Sequence, residues 1–144
     1  MATERRAEVT WRGSLMDGAG TIDRVESGAF GPLDVTWASR AEDPEGRTSP
    51  EELIAAAHAA CFSMALSHAL AQAGTPPEQL STSATVTFVP GTGITKVALA
   101  VAARVPGADE AAFADAAEGA RTGCPVSKAL AAVPEITLDA RLDS

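Results

Sequence analysis

The chain has 144 residues, of which 46% are hydrophobic and 21% are charged, and its formal net charge is -8. This length is typical of one domain with a buried core, and the composition is typical of a soluble globular protein. The negative charge argues against nucleic acid and anionic membrane surfaces as partners, because both are themselves negatively charged. No stretch is expected to reach the ~20 apolar residues of a membrane span. No apolar segment or cleavage site follows Arg5 and Arg6 near the N-terminus, so we expect a cytoplasmic protein.

The first part of the chain predicts three strands. Residues 7–13, 20–26 and 33–40 alternate between apolar and polar side chains, which is the pattern of a half-buried strand. The third of these strands is expected to end at Arg40. A charged loop over residues 41–47 then separates the strands from a helix.

The next segment has a strong helix start. Ser49 suits the N-cap, Pro50 suits the first turn, and Glu52 has the capping-box spacing from Ser49. The helix is expected to run to Ala73, because Gly74 is a typical stop signal. Its middle is rich in alanine, whose small side chain lets another element pack closely. We therefore expect a central, buried helix.

The second half of the chain adds strands and helices in an order that indicates fold class. The predicted strands are 81–90, 94–105 and 135–142, and the predicted helices are 109–122 and 124–132. A turn at residues 91–93 makes the first two strands a hairpin. Strands, a long helix, a hairpin, helices and a last strand together predict an α+β fold with a mostly antiparallel sheet. No repeat or linker interrupts the pattern, so we expect a single domain over residues 1–144.

Two cysteines are the candidate reactive groups. Cys61 lies inside the apolar helix, gains little from the dipole of that helix, and needs a nearby cation to react. Cys124 lies at a predicted helix start, where a thiolate is stabilised. The pair lacks Cys-x-x-Cys spacing, and a free cysteine is often only a small buried hydrophobe. From these residues alone, reactive and inert thiols remain equally open.

The remaining candidate residues favour structural roles. His58 precedes Cys61 by three positions and can share its helix face, but we interpret it as a packing residue. His68 is ten positions further on, and no cluster has the ligand spacing of a zinc site, so no metal is expected. The large aromatic residues are expected in the core, with an apolar pocket as the alternative for some: Trp11, Trp37, Phe62 and Phe88.

Two cysteine segments carry a family resemblance. Residues 48–67, which surround Cys61, and residues 123–127, which surround Cys124, closely resemble the signatures of the OsmC/Ohr family. These are the osmotically inducible protein C and organic hydroperoxide resistance proteins. Residues 94–99 and 135–139 also match, so the likeness covers nearly the whole chain. The histidine before Cys61 and the paired glutamates resemble the OsmC branch.

The resemblance implies a thiol peroxidase that reduces organic hydroperoxides, and hydrogen peroxide more weakly, to alcohols in oxidative or osmotic stress defence. It implies that Cys61 is the peroxidatic cysteine and that Cys124 is the resolving cysteine. It implies that Arg40 is the catalytic arginine and that Glu51 is its partner. The loop between Arg40 and Glu51 is slightly longer than the family pattern, so Arg47 is the alternative arginine.

The resemblance also implies an assembly and a reductant. The expected fold is OsmC-like, with sheets wrapped around long central helices in an intertwined homodimer whose active sites lie at the dimer interface. A lipoyl-type dithiol is expected to reduce the disulfide, with no metal or organic cofactor. Two other functions remain open from the sequence: a thiol redox sensor that is not an enzyme, and a dimeric small-ligand-binding protein with inert thiols.

Overall fold

The computed structural model of the chain describes residues 1–143, which form two compact units. The first unit is Met1–Leu53, and the second unit begins at Ile54. One long helix, α2 (Pro50–Gln72), starts in the first unit and continues through the beginning of the second. The two units therefore share a continuous element of secondary structure.

The first unit contains a three-stranded antiparallel sheet. Its strands are β1 (Ala7–Arg12), β2 (Ala19–Val25) and β3 (Leu33–Val35), and β2 lies in the middle. Gly20 on β2 pairs with Trp11 on β1. A Cβ atom at Gly20 would lie 2.5 Å from the indole ring of Trp11, so glycine is needed for that ring to lie across β2. The first two predicted strands are confirmed.

The strand that was predicted to end at Arg40 stops at Val35, so that prediction was wrong. A short helix, α1 (Trp37–Ala41), follows it. The hydroxyl of Thr36 accepts a hydrogen bond from the backbone N–H of Ser39 at 3.0 Å, and the hydroxyl of Ser39 accepts one from the N–H of Thr36 at 2.9 Å. This reciprocal cap satisfies N–H groups that a helix start leaves unpaired, and it turns the chain from strand to helix.

Helix α2 begins where the sequence predicts. The hydroxyl of Ser49 accepts a hydrogen bond from the N–H of Glu52 at 3.1 Å, which is one half of the expected capping box. The carboxylate of Glu52 instead accepts a hydrogen bond from the hydroxyl of Thr48 at 2.8 Å. The helix ends at Gln72, close to the predicted end.

Only one face of α2 is buried within the described chain. Beyond Glu51 in its first turn, the buried residues recur every four positions: His58, Phe62, Leu66 and Leu70. The opposite face is exposed, and Met64 on that face is 73% exposed. The predicted central position of this helix therefore requires a further partner on its exposed face.

Helix α2 is also long and apolar enough to cross a membrane by length and composition, with a mean hydropathy of 1.5. The expectation that no stretch reaches this limit was therefore wrong. The alanines and leucines of α2 raise its hydropathy, and its acidic residues are confined to the first turn. The central helix of a soluble protein meets the same test, so this property alone is weak evidence for a membrane span.

The second unit contains the other sheet. Strands β4 (Gln79–Val89) and β5 (Gly93–Arg104) form the predicted antiparallel hairpin, and β6 (Glu135–Leu142) pairs with β5 in parallel. Among the described residues, three of the four strand pairings are antiparallel. The α+β class and the mostly antiparallel pairing are therefore confirmed.

Two helices connect β5 to β6. Helix α3 (Glu110–Gly123) begins after Asp109, whose carboxylate accepts a hydrogen bond from the N–H of Ala112 at 2.8 Å. Helix α4 (Pro125–Ala129) is shorter than predicted. The core of this unit combines the buried face of α2 with inward residues of β5 and α3, including Val97, Leu99, Val101, Phe113 and Ala117. This core anchors the helix segments that carry both cysteines.

Candidate active site

Arg40 and Glu51 form a close ion pair in the first unit. The Nε atom of Arg40 lies 3.0 Å from Oε1 and 3.1 Å from Oε2 of Glu51, and Nη2 lies 2.9 Å from Oε2. The Glu51 side chain is 8% exposed and the Arg40 side chain is 31% exposed. A guanidinium held by two parallel hydrogen bonds has a defined orientation. The carboxylate therefore fixes the direction in which the Arg40 cation points.

The short helix α1 holds Arg40 in place. Arg40 lies in its last turn, and the neighbouring Ser39 is buried. The Ser39 hydroxyl lies 2.9 Å from the carbonyl oxygen of Thr36 and 2.9 Å from that of Thr48. The N–H of Thr48 donates to the carbonyl of Asp34 at 3.0 Å. These contacts tie the helix with Arg40 to the segment just before Glu51.

An apolar cavity of about 410 Å³ borders Arg40. Its lining comes entirely from the first unit: Trp11, Leu15, Val35, Thr36, Trp37, Arg40 and Pro50. Trp11 is 40% exposed, so its expected place in the core was wrong and the pocket alternative holds. The cavity offers an apolar wall beside one cation, which is the usual make-up of a small-molecule site.

Arg47, the alternative arginine, has a different environment. Its Nη1 atom lies 3.9 Å from Oε2 of Glu45, and both side chains are exposed. The guanidinium that pairs with Glu51 belongs to Arg40. The geometry favours Arg40 as the oriented cation, and the catalytic role of either arginine stays a prediction.

Both cysteines are free thiols in the second unit, and they are neighbours. Cys61 is half-buried on α2, and Cys124 is fully buried at the N-cap of α4, as predicted for a helix start. Burial raises the pKa of the Cys61 thiol, a hydrogen bond from the backbone of Val126 acts to lower it, and the adjacent Cys124 thiol raises it further. The structure thus brings together the two residues that the sequence separates by most of the second unit. Their peroxidatic and resolving roles stay predictions.

A buried hydrogen-bond chain leads from Cys124 to the middle of α2. The Nε2 atom of His58 lies 2.7 Å from the hydroxyl oxygen of Ser127, and that oxygen lies 3.2 Å from the sulfur of Cys124. The backbone N–H of Ser127 also donates to this sulfur at 3.3 Å. Burial lowers the pKa of His58, so its ring is held neutral. His58 therefore packs in the core, as interpreted, and also has a specific polar partner.

Comparison with known proteins identifies the family. The family model described as OsmC-like protein matches residues 42–139. Two relatives named Peroxiredoxin OsmC, from Escherichia coli (strain K12) and Shigella flexneri, are each 43% identical over 147 aligned positions, which cover 100% of this chain and of each relative. This chain belongs to the OsmC family. Within the OsmC/Ohr proteins it lies in the OsmC branch, as the segments around Cys61 and Cys124 predicted.

Solved structures confirm the OsmC-like fold. The crystal structure of the OsmC-like protein from Mycoplasma pneumoniae has a TM-score of 0.74 and 15% identity, and covers 99% of both chains. The organic hydroperoxide resistance protein OhrB of Bacillus subtilis has a TM-score of 0.65 and 23% identity, and covers 96% of this chain and 98% of its own. At these identities the likeness shows the fold alone.

One polar residue of this OsmC chain was missed by sequence reasoning. Ser127 was read only as part of the second cysteine segment, but it contacts both His58 and Cys124. Its position three residues after an N-cap is a local signal for the contact with Cys124. No local signal predicts the contact with His58, which is 69 positions away in the sequence.

Among residues 1–143, no group of three or more His, Cys, Asp or Glu side chains is arranged to hold a metal ion. The expectation of a reaction without a metal stays a prediction.

Proposed function

We propose that this OsmC-family protein is a thiol-dependent peroxidase that reduces organic hydroperoxides, and hydrogen peroxide more weakly, to alcohols in oxidative or osmotic stress defence. The observation that carries the proposal is that the Cys61 and Cys124 thiols are neighbours in the second unit and are close enough to influence each other. The full-length relatives named Peroxiredoxin OsmC support it. A peroxidase that uses two cysteines needs both sulfurs to come within disulfide range, and the neighbouring positions of the two thiols support this.

We assign the first step to Cys61. Its thiolate attacks the hydroperoxide, the sulfur–oxygen bond forms as the oxygen–oxygen bond breaks, and the departing alkoxide takes a proton to leave as the alcohol. The products are the alcohol and a sulfenic acid on Cys61. Because burial raises the pKa of Cys61, a cation is needed to hold the reactive thiolate.

We assign that cation to Arg40, with Glu51 as the residue that orients it. An unperturbed cysteine is a few per cent ionised near pH 7, so full ionisation raises the rate only some tens-fold, or about 2 kcal/mol. A competent peroxidase also needs stabilisation of the charge that builds on the departing oxygen. An oriented guanidinium can supply both effects, and the bidentate pair with Glu51 supports this assignment.

The cavity beside Arg40 favours hydroperoxides with an organic group. Trp11, Trp37 and Leu15 give it an apolar wall, and burial of an apolar group against such a wall is favourable. Hydrogen peroxide has no such group. We therefore expect bulky organic hydroperoxides to react with a lower KM than hydrogen peroxide.

The cycle closes through a disulfide. Cys124 condenses with the Cys61 sulfenic acid and releases water, and a dithiol then reduces the disulfide by exchange. We propose a lipoyl-type dithiol as the reductant and no metal or organic cofactor. A reduced cytoplasm would keep the resting thiols free, which is consistent with the proposed location.

We also propose that the protein is a homodimer joined through the exposed face of α2. This face is apolar and includes the exposed residues Ala60 and Met64. Ala60→Glu should shift the protein from dimer to monomer in sedimentation velocity, because it places a charge on an apolar contact. Ala111→Glu, at an exposed alanine of α3, should leave the assembly unchanged. A monomeric wild-type protein would contradict the proposal.

The peroxidase proposal is tested by mass spectrometry of the reduced protein after one equivalent of an organic hydroperoxide, with peroxide loss followed in parallel. We expect rapid formation of a Cys61–Cys124 disulfide at the rate of peroxide loss. Cys61→Ser should abolish turnover, and Cys124→Ser should stop at one turnover with over-oxidised Cys61. Two free thiols and untouched peroxide would refute the proposal and favour the ligand-binding alternative. A disulfide without repeated turnover by any dithiol would favour the redox sensor.

A further inference from the structure

His58 and Ser127 form a buried hydrogen-bond chain that ends at Cys124, the proposed resolving cysteine. The three residues are 0%, 5% and 0% exposed. The Ser127 hydroxyl lies between the other two, at 2.7 Å from His58 Nε2 and 3.2 Å from the Cys124 sulfur. A hydroxyl has one proton to donate, so it can donate toward the imidazole or toward the sulfur, but not toward both.

The surroundings of Nδ1, the other ring nitrogen of His58, show in which of these two directions the Ser127 hydroxyl donates. No residue in the described part of the chain offers a hydrogen-bond partner to Nδ1 of His58, although this atom is buried. An orphaned N–H donor in a protein interior is rarer than an under-used acceptor. The proton of the neutral ring therefore belongs on Nε2, and Nε2 then donates to the oxygen of Ser127.

The direction of each hydrogen bond between His58, Ser127 and Cys124 follows from that tautomer. With its oxygen accepting from His58, the Ser127 hydroxyl donates to the Cys124 sulfur. The backbone N–H of Ser127 donates to the same sulfur at 3.3 Å. The sulfur of Cys124 thus faces two donors from one residue, and such donors stabilise negative charge on a sulfur during a reaction.

We infer that His58 is a positioning residue that acts through Ser127, directing the serine hydroxyl onto the Cys124 sulfur, where it stabilises the negative charge that this sulfur carries when it attacks and when it departs. The inference rests on the proposed function for its role in the cycle. The hydrogen-bond direction itself does not depend on peroxidase activity.

The hydrogen bonds to Cys124 act in two steps of the cycle, the formation of the disulfide and its reduction. In resolution, the Cys124 thiolate attacks the sulfur of the Cys61 sulfenic acid; the sulfur–sulfur bond forms, the sulfur–oxygen bond breaks, and hydroxide takes up a proton to leave as water. Cys124 is oxidised and Cys61 is reduced by this step. In reduction, a dithiol attacks the Cys61 sulfur and Cys124 departs as the stabilised thiolate, which makes it the better leaving group.

The first test is the tautomer of His58 in the reduced protein, read from its ring nitrogen shifts by long-range proton–nitrogen NMR. The chain has two histidines, so the measurement is repeated on His68→Gln, in which only the ring signals of His58 remain. We expect the proton on Nε2 and a bare Nδ1. A proton on Nδ1 would overturn the inference, because Ser127 would then donate to the imidazole. This result stands whether or not the protein is a peroxidase.

The second test is the equilibrium between the Cys61–Cys124 disulfide and a dithiothreitol redox buffer, measured by mass spectrometry. Ser127→Ala removes a hydrogen-bond donor to the Cys124 sulfur, so the reduced form loses stability and the equilibrium should shift about tenfold toward the disulfide. Ser127→Thr keeps the hydroxyl and should restore the wild-type equilibrium. His58→Leu should shift it in the same direction as Ser127→Ala, and His58→Gln, which retains a donor, should shift it less.

Equal equilibria for Ser127→Ala and Ser127→Thr would refute the inference. If no disulfide forms at all, the peroxidase proposal fails, and the NMR result still decides the direction of the hydrogen bonds. If the equilibria shift as expected but peroxide is untouched, the inference stands as a property of a redox sensor and the peroxidase proposal fails alone.

Discussion

At the scale of single residues, Glu51 illustrates how a buried charge is made tolerable. Its side chain is 8% exposed, and the guanidinium of Arg40 donates hydrogen bonds to both of its carboxylate oxygens. A buried carboxylate without a partner is strongly destabilising, whereas a well-paired one is near neutral. Stability and the catalytic step that we propose therefore depend on the same pair of residues, and variants must separate the two effects.

Arg40→Ala should lower the rate of peroxide reduction about 10²–10³-fold, because it removes the donor for the departing oxygen. It should also lower the free energy of unfolding by about 2 kcal/mol, less than for a fully buried pair because Arg40 is partly exposed. Stopped-flow peroxide kinetics and urea unfolding measure the two effects.

The double variant Arg40→Ala, Glu51→Gln is the control for this pair. It removes the unpaired carboxylate, so much of the lost stability should return while the rate stays low. Recovery of the rate together with the stability would show that Arg40 has only a structural role. Arg47→Ala should change neither property greatly.

The buried side chain of His58 should make the free energy of unfolding depend on pH. Burial lowers the pKa of His58 in the folded protein. The unfolded chain takes up this proton near pH ~6.5, whereas the folded protein does so only at lower pH. The stability that the neutral ring contributes is therefore fully present above about pH 6.5 and is lost as the pH falls.

The measurement is urea unfolding of the wild type and His58→Gln between about pH 7 and about pH 5, where the two stabilities should converge on acidification. Ser83→Ala, at an exposed serine of β4, removes no titrating side chain and is the control, whose curve should run parallel to that of the wild type. Parallel curves for the wild type and His58→Gln would contradict the prediction.

At the scale of elements, the turn from β3 into α1 decides where Arg40 lies. The alternating pattern of residues 33–40 predicted one strand, and the cap between Thr36 and Ser39 ends it early. The usual capping box has Glu or Gln at its fourth position, so a serine there is a weak signal. The hydrogen bond from Ser39 to the carbonyl of Thr48 adds a contact that no local pattern contains.

Ser39→Ala should lower the free energy of unfolding by about 1–2 kcal/mol, because it removes one half of the cap and leaves buried backbone groups unpaired. It should also lower the peroxidase rate by loosening α1, which carries Arg40. Ser83→Ala, at an exposed serine of β4, is the matched control and should stay within about 0.5 kcal/mol of wild type. Equal stabilities of the two variants would contradict the role of the cap.

At the scale of the whole molecule, the chain consists of two compact units, Met1–Leu53 and the unit that begins at Ile54. Helix α2 belongs to both, which supports our proposal of a single domain over residues 1–144. Both tryptophans, Trp11 and Trp37, lie in the first unit, and the chain has no tyrosine. Tryptophan fluorescence therefore reports on the first unit alone.

Leu66→Ala provides the test, because Leu66 is fully buried in the core of the second unit. The cavity it leaves should lower stability by about 2–5 kcal/mol. If the units unfold as one domain, the midpoint measured by tryptophan fluorescence should fall with the midpoint measured by circular dichroism. An unchanged fluorescence midpoint would show that the first unit unfolds independently.

The sequence alone determined the family, the fold class and nearly every element. Periodicity and end signals located α2, the β4–β5 hairpin and β6, because these features depend on neighbours within a few residues. The two cysteine segments identified the OsmC branch by resemblance. The pairing of Arg40 with Glu51 was also expected from that resemblance.

Only the tertiary structure decided how distant residues meet. It placed Arg40 on a helix rather than at the end of a strand, Trp11 beside a cavity rather than in the core, and His58 against Ser127. Each result depends on packing between elements that are far apart in the chain, where side-chain fit and the need to pair buried polar groups select the arrangement. Local sequence patterns contain the residue types for such contacts but not their spatial partners.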